Sequence, residues 1–379
     1  MKQNRNLVSR RSFMKTSAAA FAAGGLLPGK DAEKPGSDPN PKDILNYHPD
    51  MVYRKLGNTG LFVSVISLGG IGLIRQVASY ALDRGVNLIH MSTTYNHGKA
   101  VRELKEALKG KRQRVYIALK DTFDRIDDVL SILGTDTIDI LMFNRHSEEK
   151  VSDPKIRDMF ESLKNQGKVR LAGLTSHDQV KACVARAVRD GFFHVLQPVL
   201  NQPALEAMDL DLRGAMDKGM GVMAMKSMKG MEGREMQVAY LKKLLKHPAV
   251  TTVNKSFPDF ESLDLYIRSV REVLTGAEDF SLYQYAQLNR SRNCMMCGEC
   301  EKVCPQGLGI STILRSKTYY HDQLGDRETA LSAMAEASFS RAQLEGCRGC
   351  ARCERACPNG IRITEMLAGA LELQDVTCA

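Results

Sequence analysis

Eight of the ten cysteines of this 379-residue chain fall into two short blocks with one shared spacing. The first block, of the form Cys-x2-Cys-x2-Cys-x3-Cys-Pro, consists of Cys294, Cys297, Cys300, Cys304 and Pro305. The second block repeats this form with Cys347, Cys350, Cys353, Cys357 and Pro358. Thiolates are soft ligands that suit zinc, copper(I) and iron–sulfur clusters, so the two blocks predict bound metal.

The spacing, including the proline, resembles the cysteine run of bacterial ferredoxins that carry two [4Fe–4S] clusters. In that run three thiolates of a block wrap one corner of a cluster, and the fourth is better placed for the other cluster. The resemblance implies one cluster on Cys294, Cys297, Cys300 and Cys357, and another on Cys347, Cys350, Cys353 and Cys304. Gly298 and Gly349 are expected to help each block present backbone N–H groups to the cluster.

Zinc and disulfide bonds compete with this interpretation. Zinc sites usually pair two Cys-x2-Cys units and do not use four cysteines that end in Cys-Pro. Cysteines three or four residues apart would strain any disulfide within a block. Iron–sulfur clusters therefore remain the favoured ligand for both blocks.

The stretch between the blocks predicts a helical C-terminal domain. Residues around Arg327–Leu344 have helical character, whereas a minimal ferredoxin has a shorter β-rich connection. The region from 278 to 379 is expected to be a small, mainly α-helical domain that resembles dicluster modules of multi-subunit oxidoreductases. Two cysteines stand outside the blocks, Cys183 in a predicted helix and Cys378 next to the C-terminus.

Short β-branched runs alternate with longer helical stretches through the middle of the chain. The predicted strands are Val63–Leu68, Val86–Met91, Arg114–Lys120, Ile138–Asn144, Val169–Leu174, His194–Gln197, Val222–Lys226 and Thr251–Asn254. Predicted helices between them include Val101–Lys109, Pro154–Asn165, Gln179–Arg189 and Ser262–Leu274. Glycines at 85, 110, 167, 191 and 219 stand where a left-handed helix cap is expected.

Eight strands that are each followed by a helix imply a parallel sheet with right-handed crossovers. For a segment of this length, a closed (β/α)8 TIM barrel is the natural architecture. An open, doubly wound sheet is the alternative. No G-x-G-x-x-G follows the first strand, which disfavours a dinucleotide-binding sheet of that kind.

Residues 51–277 contain five notable motifs: Arg54–Leu61 (RKLGNTGL), Gly85–Ile89 (GVNLI), Ile138–Leu141 (IDIL), Gly167–Arg170 with Gly173, and Gln197–Asn201. Together these motifs resemble those of the aldo-keto reductase family. The resemblance implies the barrel fold and oxidoreductase activity on a small carbonyl or alcohol substrate.

The resemblance also implies four catalytic positions at the ends of consecutive strands. The family's Tyr and Lys correspond to Tyr95 and Lys120, whereas His90 replaces its Asp and Asn144 replaces its His. A Tyr that protonates a carbonyl needs a neighbouring cation because its ordinary pKa is near 10. Here the Lys lacks its carboxylate, and Asn144 can donate a hydrogen bond but cannot act as an acid. We therefore expect an altered acid–base set.

A nicotinamide cofactor, NADP or NAD, is the family's hydride carrier, and its presence here is an open alternative. Ser176, Gln197, Asn201, Lys255 and Ser256 are the expected cofactor contacts. Lys255 and Ser256 could hold a phosphate, but the family's following Arg and Asn are out of register, and Tyr266 falls near the Asn position.

The N-terminus predicts an export signal. Ser9–Lys15 (SRRSFMK) matches the twin-arginine pattern, and the weakly apolar segment Thr16–Leu27 follows it. The alternative is a disordered basic tail. The twin-arginine route exports folded proteins, which suits clusters inserted in the cytoplasm. Residues 1–29 are therefore expected to be the signal, residues 30–50 a linker, and the destination the periplasm or the outer face of the cytoplasmic membrane.

Charge and composition narrow the function class. The formal net charge is +9, but the first 30 residues hold six basic residues and no acidic one, so nucleic-acid binding is not expected. A membrane-spanning helix needs about 20 consecutive apolar residues, and no such run occurs.

These observations predict an exported iron–sulfur oxidoreductase. Its expected partners are a small-molecule substrate, a redox partner protein or electron carrier, and the twin-arginine export machinery. The alternative is a non-catalytic electron-transfer or docking protein whose barrel is a degenerate scaffold. The altered residues His90 and Asn144 favour the alternative, and retention of Tyr95 and Lys120 favours the enzyme.

Overall fold

The computed structural model describes residues 40–120, 125–228, 230–335, 341–347 and 349–375. The predicted export signal, most of the predicted linker and Cys378 lie outside these residues. Residues 39–379 cluster as one compact unit that contains both the barrel and the cysteine blocks. Among the described residues, none of the helices combines the length and the apolar character needed to cross a bilayer.

A short antiparallel hairpin closes the N-terminal end of the barrel. Strands β1 (Tyr53–Lys55) and β2 (Phe62–Ser64) pair in the register that joins Tyr53 to Ser64. The hairpin residues Leu56, Leu61 and Val63 pack against the interior side chains of the barrel. The predicted strand Val63–Leu68 is therefore two elements, because the chain leaves the hairpin at Ser64 and enters the barrel at Ile66.

Eight parallel strands form the closed barrel that the alternation predicted. They are β3 (Ile66–Gly69), β4 (Leu88–Met91), β5 (Tyr116–Lys120), β6 (Ile138–Asn144), β7 (Val169–Thr175), β8 (Val195–Gln197), β9 (Gly221–Ala224) and β10 (Val250–Lys255). Each strand pairs with the next in sequence, and β10 pairs with β3. The predicted strand Val222–Lys226 ends early, at Ala224, and Lys226 has a left-handed backbone with φ of 51°.

In the described part of the barrel region, ten α-helices surround the strands. They are α1 (Arg75–Asp83), α2 (Lys99–Ala107), α3 (Ile126–Leu133), α4 (Glu148–Val151), α5 (Pro154–Asn165), α6 (Val180–Asp190), α7 (Gln202–Ala207), α8 (Asp209–Asp217), α9 (Arg234–Lys246) and α10 (Phe260–Ser269). The five glycines expected at helix ends all have positive φ, from 66° at Gly191 to 90° at Gly85. A Cβ at Gly85 would also lie 2.5 Å from the Tyr53 hydroxyl, so only glycine fits there.

The C-terminal domain is helical, as predicted. Its helices are α11 (Gly276–Asn289), α12 (Glu299–Lys302), α13 (Ile310–Thr318), α14 (Arg327–Ala335), α15 (Arg341–Glu345), α16 (Arg352–Ala356) and α17 (Ile363–Asp375). A π-helical turn, Tyr319–Leu324, follows α13. This domain has an apolar core of its own, and Ile71 of the barrel packs against that core.

The C-terminal domain contains an internal repeat. The half that follows Cys294 and the half that follows Cys347 each place a short helix on the third cysteine (α12 and α16) and a longer helix beyond the Cys-Pro (α13 and α17). A glutamate after the third cysteine accepts a backbone N–H of the longer helix in both halves, Glu301 from Ser311 at 2.6 Å and Glu354 from Thr364 at 2.8 Å.

Candidate functional site

Strand alternation brings four of the predicted residues to one end of the barrel. Successive strand residues point to opposite faces, so every second residue points inward. Leu88, Ala118, Ile140, Met142 and Val195 all belong to the interior cluster. The next inward positions towards the C-terminal ends of these strands are His90, Lys120, Asn144 and Gln197, and we call the space they surround the barrel mouth. Chemistry in (β/α)8 barrels takes place at this end.

Tyr95, Lys120 and His90 are neighbours at the barrel mouth. The Lys120 ammonium lies 5.5 Å from the centre of the Tyr95 ring. The His90 ring meets the same tyrosine edge-on, with ring centres 6.0 Å apart. The structure therefore brings together the retained Tyr–Lys pair and the residue that replaces the family's Asp.

His90 is held as a neutral imidazole. It is 4% exposed. Burial, and after it the charges of Lys120 and Lys226, lowers the pKa of His90 to about 3. At neutral pH, His90 therefore adds no charge that would repel Lys120. Its Nε2 atom has no hydrogen-bond partner among the described residues.

Asn144 contacts a histidine that motif reasoning missed. The side-chain oxygen of Asn144 lies 3.3 Å from Nδ1 of His177, which follows β7. Burial, followed by the charges of Arg315, Lys120, Lys226 and His146, lowers the pKa of His177 well below its usual range. The only sequence signal was its place directly after a strand end.

The C-terminal domain covers the barrel mouth. The Lys226 ammonium lies 4.2 Å from the centre of the Tyr319 ring and donates a hydrogen bond to the Tyr319 hydroxyl. Arg315, one turn earlier, lies 5.8 Å from the same ring and is 2% exposed. Helix α13 and the Tyr319 turn therefore form a roof over the mouth, which we call the roof helix. No motif in the sequence had indicated Lys226, Arg315 or Tyr319.

Most of the residues predicted to contact a nicotinamide cofactor bind other protein groups. Ser176 donates to the carbonyl of Asp178 at 2.6 Å, and Ser256 donates to the carbonyls of Gly69 and Ile71 at 3.1 and 2.6 Å. Asn201 donates to the carbonyl of Cys294 at 2.9 Å. Of the predicted cofactor contacts, only Gln197 has a buried side chain whose amide oxygen and nitrogen both lack a hydrogen bond among the described residues.

Lys255 points away from the barrel mouth. Its neighbour Asn254 bonds inward to Ser67 at 3.4 Å, so strand alternation directs Lys255 outward. There the ammonium lies 3.3 Å from the Gln237 side-chain oxygen and 5.2 Å from the centre of the Tyr266 ring. Burial lowers the pKa of Lys255 to about 8.

The two predicted sets of four cysteines line two separate cavities. Cys294, Cys297, Cys300 and Cys357 line one, together with Met295, Gly298 and Pro358, and we call it the first cysteine cavity. Cys304, Cys347, Cys350 and Cys353 line the second cysteine cavity, together with Pro305 and Gln306. The fourth cysteine of each block thus lies in the cavity of the other block.

The backbone around both cavities has the same shape. Left-handed residues occur at matching places, Met296 and Gly298 in the first block and Gly349 and Ala351 in the second. These turns direct successive N–H groups towards the cavities. The Met296 N–H lies 3.4 Å from Sγ of Cys294, and the Ile361 N–H lies 3.5 Å from Sγ of Cys357.

Each cavity offers four cysteine sulfurs as possible ligands. Zinc would need its ligands about 2.0–2.3 Å from one point. In the described part of the chain, no three Cys, His, Asp or Glu side chains converge in that way. Burial raises the pKa of the Cys300 thiol, and a bound metal would favour its thiolate form.

The first cysteine cavity is attached to the barrel. Besides the bond from Asn201 to the Cys294 carbonyl, the Val180 N–H donates to the carbonyl of Met296 at 3.0 Å. A Cβ on Gly298 would lie 2.6 Å from the Gln179 side chain, so the two backbones are in close contact. The loops after β7 and β8 therefore hold this cavity next to the barrel mouth.

A (β/α)8 barrel with a Tyr–Lys pair at its mouth is attached to a domain with two four-cysteine cavities, and each of the two parts matches a family model. Residues 74–231 match the family model described as the Aldo/keto reductase family. Residues 288–361 match the model described as a 4Fe-4S dicluster domain. The chain therefore combines an oxidoreductase barrel of aldo-keto reductase type with an iron–sulfur domain.

Solved structures agree on the fold of the barrel. An aldo-keto reductase from Pseudomonas aeruginosa has 20% sequence identity and a TM-score of 0.52, with 62% of this chain and 98% of that chain covered. The holo form of aldo-keto reductase AKR11C1 from Bacillus halodurans has 19% identity and a TM-score of 0.53, with 62% and 96% covered. No protein of curated function matches the chain.

Proposed function

We propose that this protein is an exported iron–sulfur oxidoreductase. Its barrel would carry out redox chemistry on a small carbonyl or alcohol substrate and exchange electrons with a partner through two [4Fe–4S] clusters. The observation that carries the proposal is the direct attachment of the first cysteine cavity to the loops of the barrel mouth, through Val180 and Asn201.

The proposed cluster ligands are the two cysteine sets that line the cavities. Cys294, Cys297, Cys300 and Cys357 would hold one cluster, and Cys347, Cys350, Cys353 and Cys304 the other. Bound clusters of this type accept and release single electrons. Their potentials depend on hydrogen bonds to sulfur, such as those available from the N–H groups of Met296 and Ile361.

At the barrel mouth, Tyr95 is the proposed proton donor. Reduction of a carbonyl to an alcohol takes up two electrons, which the two reduced clusters would supply one each, and two protons. Tyr95 would donate one proton to the oxygen, and the carbon would take the other from water. A cation beside a phenol stabilises the phenolate that remains after donation, and Lys120 is placed to do so. Neutral His90 and the Asn144 amide are positioned as hydrogen-bonding groups, since neither can act as an acid near neutral pH.

A nicotinamide cofactor fits the described residues poorly. Three of the predicted contacts already donate hydrogen bonds to backbone carbonyls, namely Ser176, Asn201 and Ser256. The side chain of Lys255 lies on the outer side of β10. Of the predicted contacts, only Gln197 has a side chain with no hydrogen bond among the described residues. In the proposed reaction the electrons therefore pass through the clusters and not through a nicotinamide cofactor.

Export is a separate part of the proposal. It rests on Arg10 and Arg11 in the twin-arginine pattern and on the benefit of exporting a folded protein whose clusters are already inserted. Replacing both arginines by lysine should leave the protein in the cytoplasm, which cell fractionation measures. Unchanged export would remove this part of the proposal and leave the redox function standing.

The second candidate is a non-catalytic electron carrier, favoured by the loss of the carboxylate partner of Lys120 and by the roof over the mouth. Anaerobic reduction followed by addition of carbonyl substrates separates the two candidates. The enzyme should reoxidise with formation of alcohol, and Tyr95→Phe should abolish the product while retaining the iron. A carrier should pass electrons only to redox proteins, whether or not Tyr95 is present.

The clusters themselves have a direct test. Anaerobically purified protein should contain about eight iron atoms per chain, as two [4Fe–4S] clusters require. Cys183→Ala is the matched control, because Cys183 is a buried cysteine of the barrel and lines neither cavity. It should leave the iron content unchanged. About four iron atoms or fewer, or zinc in their place, would contradict the cluster assignment.

A further inference from the structure

The internal repeat of the C-terminal domain places two hydroxyl residues at matching positions. Ser311 and Thr364 each follow the Cys-Pro of their block and stand in the first turn of α13 and α17, respectively. Ser311 lines the first cysteine cavity together with Leu314, and Thr364 lines the second cysteine cavity together with Leu367. The same side of the longer helix therefore faces a cavity in both halves.

The two hydroxyl groups differ in what they bind. The Thr364 hydroxyl donates to Oε1 of Glu354, which also accepts the Thr364 N–H at 2.8 Å. In the first half, Glu301 accepts the Ser311 N–H at 2.6 Å. The Ser311 hydroxyl oxygen, however, has no hydrogen-bond partner among the described residues. Only one of the two matching hydroxyl groups is therefore engaged by the protein.

The barrel accounts for this difference. Burial, followed by the hydrogen bond and the charge of Asp178 in the loop after β7, raises the pKa of Glu301. The N–H and the hydroxyl of Ser311 act on this pKa in the opposite direction, so the hydroxyl is close to Glu301. It nevertheless does not reach hydrogen-bond geometry with that carboxyl. Asp178 thus occupies Glu301, whereas Glu354 accepts both donors of Thr364.

Burial makes an unbonded hydroxyl costly at Ser311, which is 1% exposed. Buried polar side-chain atoms are nearly always hydrogen-bonded, and one without a partner calls for an explanation such as a bound group. Ser311 lines a cavity with four cysteine sulfurs, and the sulfurs of thiolates and clusters accept hydrogen bonds. A cluster in this cavity would supply the acceptor that the hydroxyl lacks.

We propose that the Ser311 hydroxyl donates a hydrogen bond to a sulfur of the cluster in the first cysteine cavity and thereby raises the reduction potential of that cluster. This inference rests on the cluster assignment within the proposed function, and it adds a residue that tunes the electron transfer. The cysteine spacing assigns no role to Ser311.

The physical basis of the proposal is electrostatic. A cluster held by four thiolates gains negative charge on reduction, so a donated O–H stabilises the reduced form more than the oxidised form. The hydroxyl keeps its proton, and only one electron is exchanged. Thr364 cannot stabilise the second cluster in this way while its hydroxyl is bound to Glu354. The Ser311 hydrogen bond therefore shifts an electron shared by the two clusters towards the barrel, where the proposed reaction consumes it.

An anaerobic redox titration of the full chain, followed by electron paramagnetic resonance, tests the proposal without any turnover. Ser311→Ala removes the hydroxyl without adding volume. One of the two midpoint potentials should fall by about 30–60 mV, which is a 3- to 10-fold weaker preference for the reduced cluster at about 59 mV per tenfold. The other midpoint potential should not change, and the iron content should stay at about eight atoms per chain.

Thr364→Val is the matched control in the second half. It removes a hydroxyl at the equivalent position, but this hydroxyl is bound to Glu354. Its effect on either midpoint potential should therefore be smaller than the effect of Ser311→Ala. Equal shifts in the two variants would overturn the proposal, because a loss of polarity near either cluster would then explain both.

A spectroscopic signature separates a donated hydrogen bond from a general change in polarity. After exchange into D2O, electron–nuclear double resonance of the reduced protein should show one coupled deuteron that is missing in Ser311→Ala. Identical deuteron signals in the two proteins would contradict the hydrogen bond. Should Ser311→Ala not load iron, Ser311→Gly, which also removes the hydroxyl, takes its place in both measurements.

The failure of this inference and the failure of the proposed function are distinguishable. Unchanged or raised midpoint potentials in Ser311→Ala, with about eight iron atoms per chain, would overturn the role of Ser311 and leave the clusters in place. Wild-type protein without iron would instead refute the cluster assignment on which the proposed function rests.

Discussion

The first and second cysteine cavities share a backbone but differ in their surroundings. In both, a glutamate after the third cysteine accepts a backbone N–H at the start of the following helix. Burial and the neighbouring Asp178 raise the pKa of Glu301 at the first cavity. Hydrogen bonds from Thr364 lower the pKa of Glu354 at the second. The repeat therefore determines the local fold, while contact with the barrel determines the electrostatics.

The surroundings of the two cavities also suggest that the cavities have different roles. The first cavity is bound to the barrel through Met296 and the Cys294 carbonyl. At the second cavity Cys350 is exposed, with exposed Arg352 and Arg355 nearby in sequence. We infer that the first cavity serves the substrate and the second serves the redox partner. Variants that alter one cavity or its surroundings and leave the other unchanged can test this difference.

The largest difference should follow from removing one ligand on each side. Cys300→Ser and Cys350→Ser should each lower the iron content from about eight to about four atoms per chain. In Cys300→Ser the loops after β7 and β8 lose the support of a filled cavity, so amide hydrogen exchange near Val180 should accelerate. In Cys350→Ser it should not change. Equal exchange in both variants would contradict the claim that the barrel depends on the first cavity.

A smaller effect is expected from the hydrogen bonds that attach each cavity. Asn201 donates to the Cys294 carbonyl and also accepts the Ala204 N–H as the cap of α7. Asn201→Ala should lower the free energy of unfolding by about 1–3 kcal/mol, the sum of a lost hydrogen bond and a lost cap. Gln343→Ala, which removes the bond to the Gln306 carbonyl at the second cavity, should cost about 1 kcal/mol.

Anaerobic chemical denaturation measures both values, and an electrochemical titration adds a second readout. Asn201→Ala should shift the potential of one cluster, because the Cys294 carbonyl loses its partner beside the sulfur. Stability losses of equal size with unshifted potentials would show that the barrel contact is only structural.

Much of this architecture follows from local patterns. Alternation of strand and helix predicted the barrel because each β–α unit buries one face against its neighbours. The resemblance to two-cluster ferredoxins implied that Cys304 and Cys357 exchange places between the blocks, and the linings of the two cavities have this arrangement. Both are properties of residues close together in sequence.

The roof could not be predicted in this way. Arg315 lies in α13 and Tyr319 in the turn that follows it, and their positions next to Lys226 depend on how the two domains pack. Lys255 is a second case. The motif left a phosphate contact open, and strand alternation directs the side chain outward to Gln237 and Tyr266.

The barrel side should also be sensitive to acid. The pKa of His90 is lowered from its ordinary value of 6.5 to about 3. The folded protein therefore binds fewer protons than the unfolded chain between these values, and stability falls as the pH drops below about 6.5. Between pH 7 and 5.5 this residue alone should cost about 1 kcal/mol. His90→Gln should lose less stability over that interval than the wild type, as denaturation at both pH values would show.

The smallest effect should come from the exposed charges beside the second cavity. Arg352→Gln and Arg355→Gln remove positive charge near Cys350 without touching a buried contact. The free energy of unfolding should therefore change by less than about 0.5 kcal/mol, and the iron content should not change. Electron transfer with an acidic carrier such as a flavodoxin should slow a few-fold at low salt, because opposite charges steer the encounter. The difference should vanish at high salt. The control is Arg213→Gln, which removes a positive charge from α8 of the barrel. Equal slowing in this variant would mean that the overall charge sets the rate, and not a docking face at the second cavity.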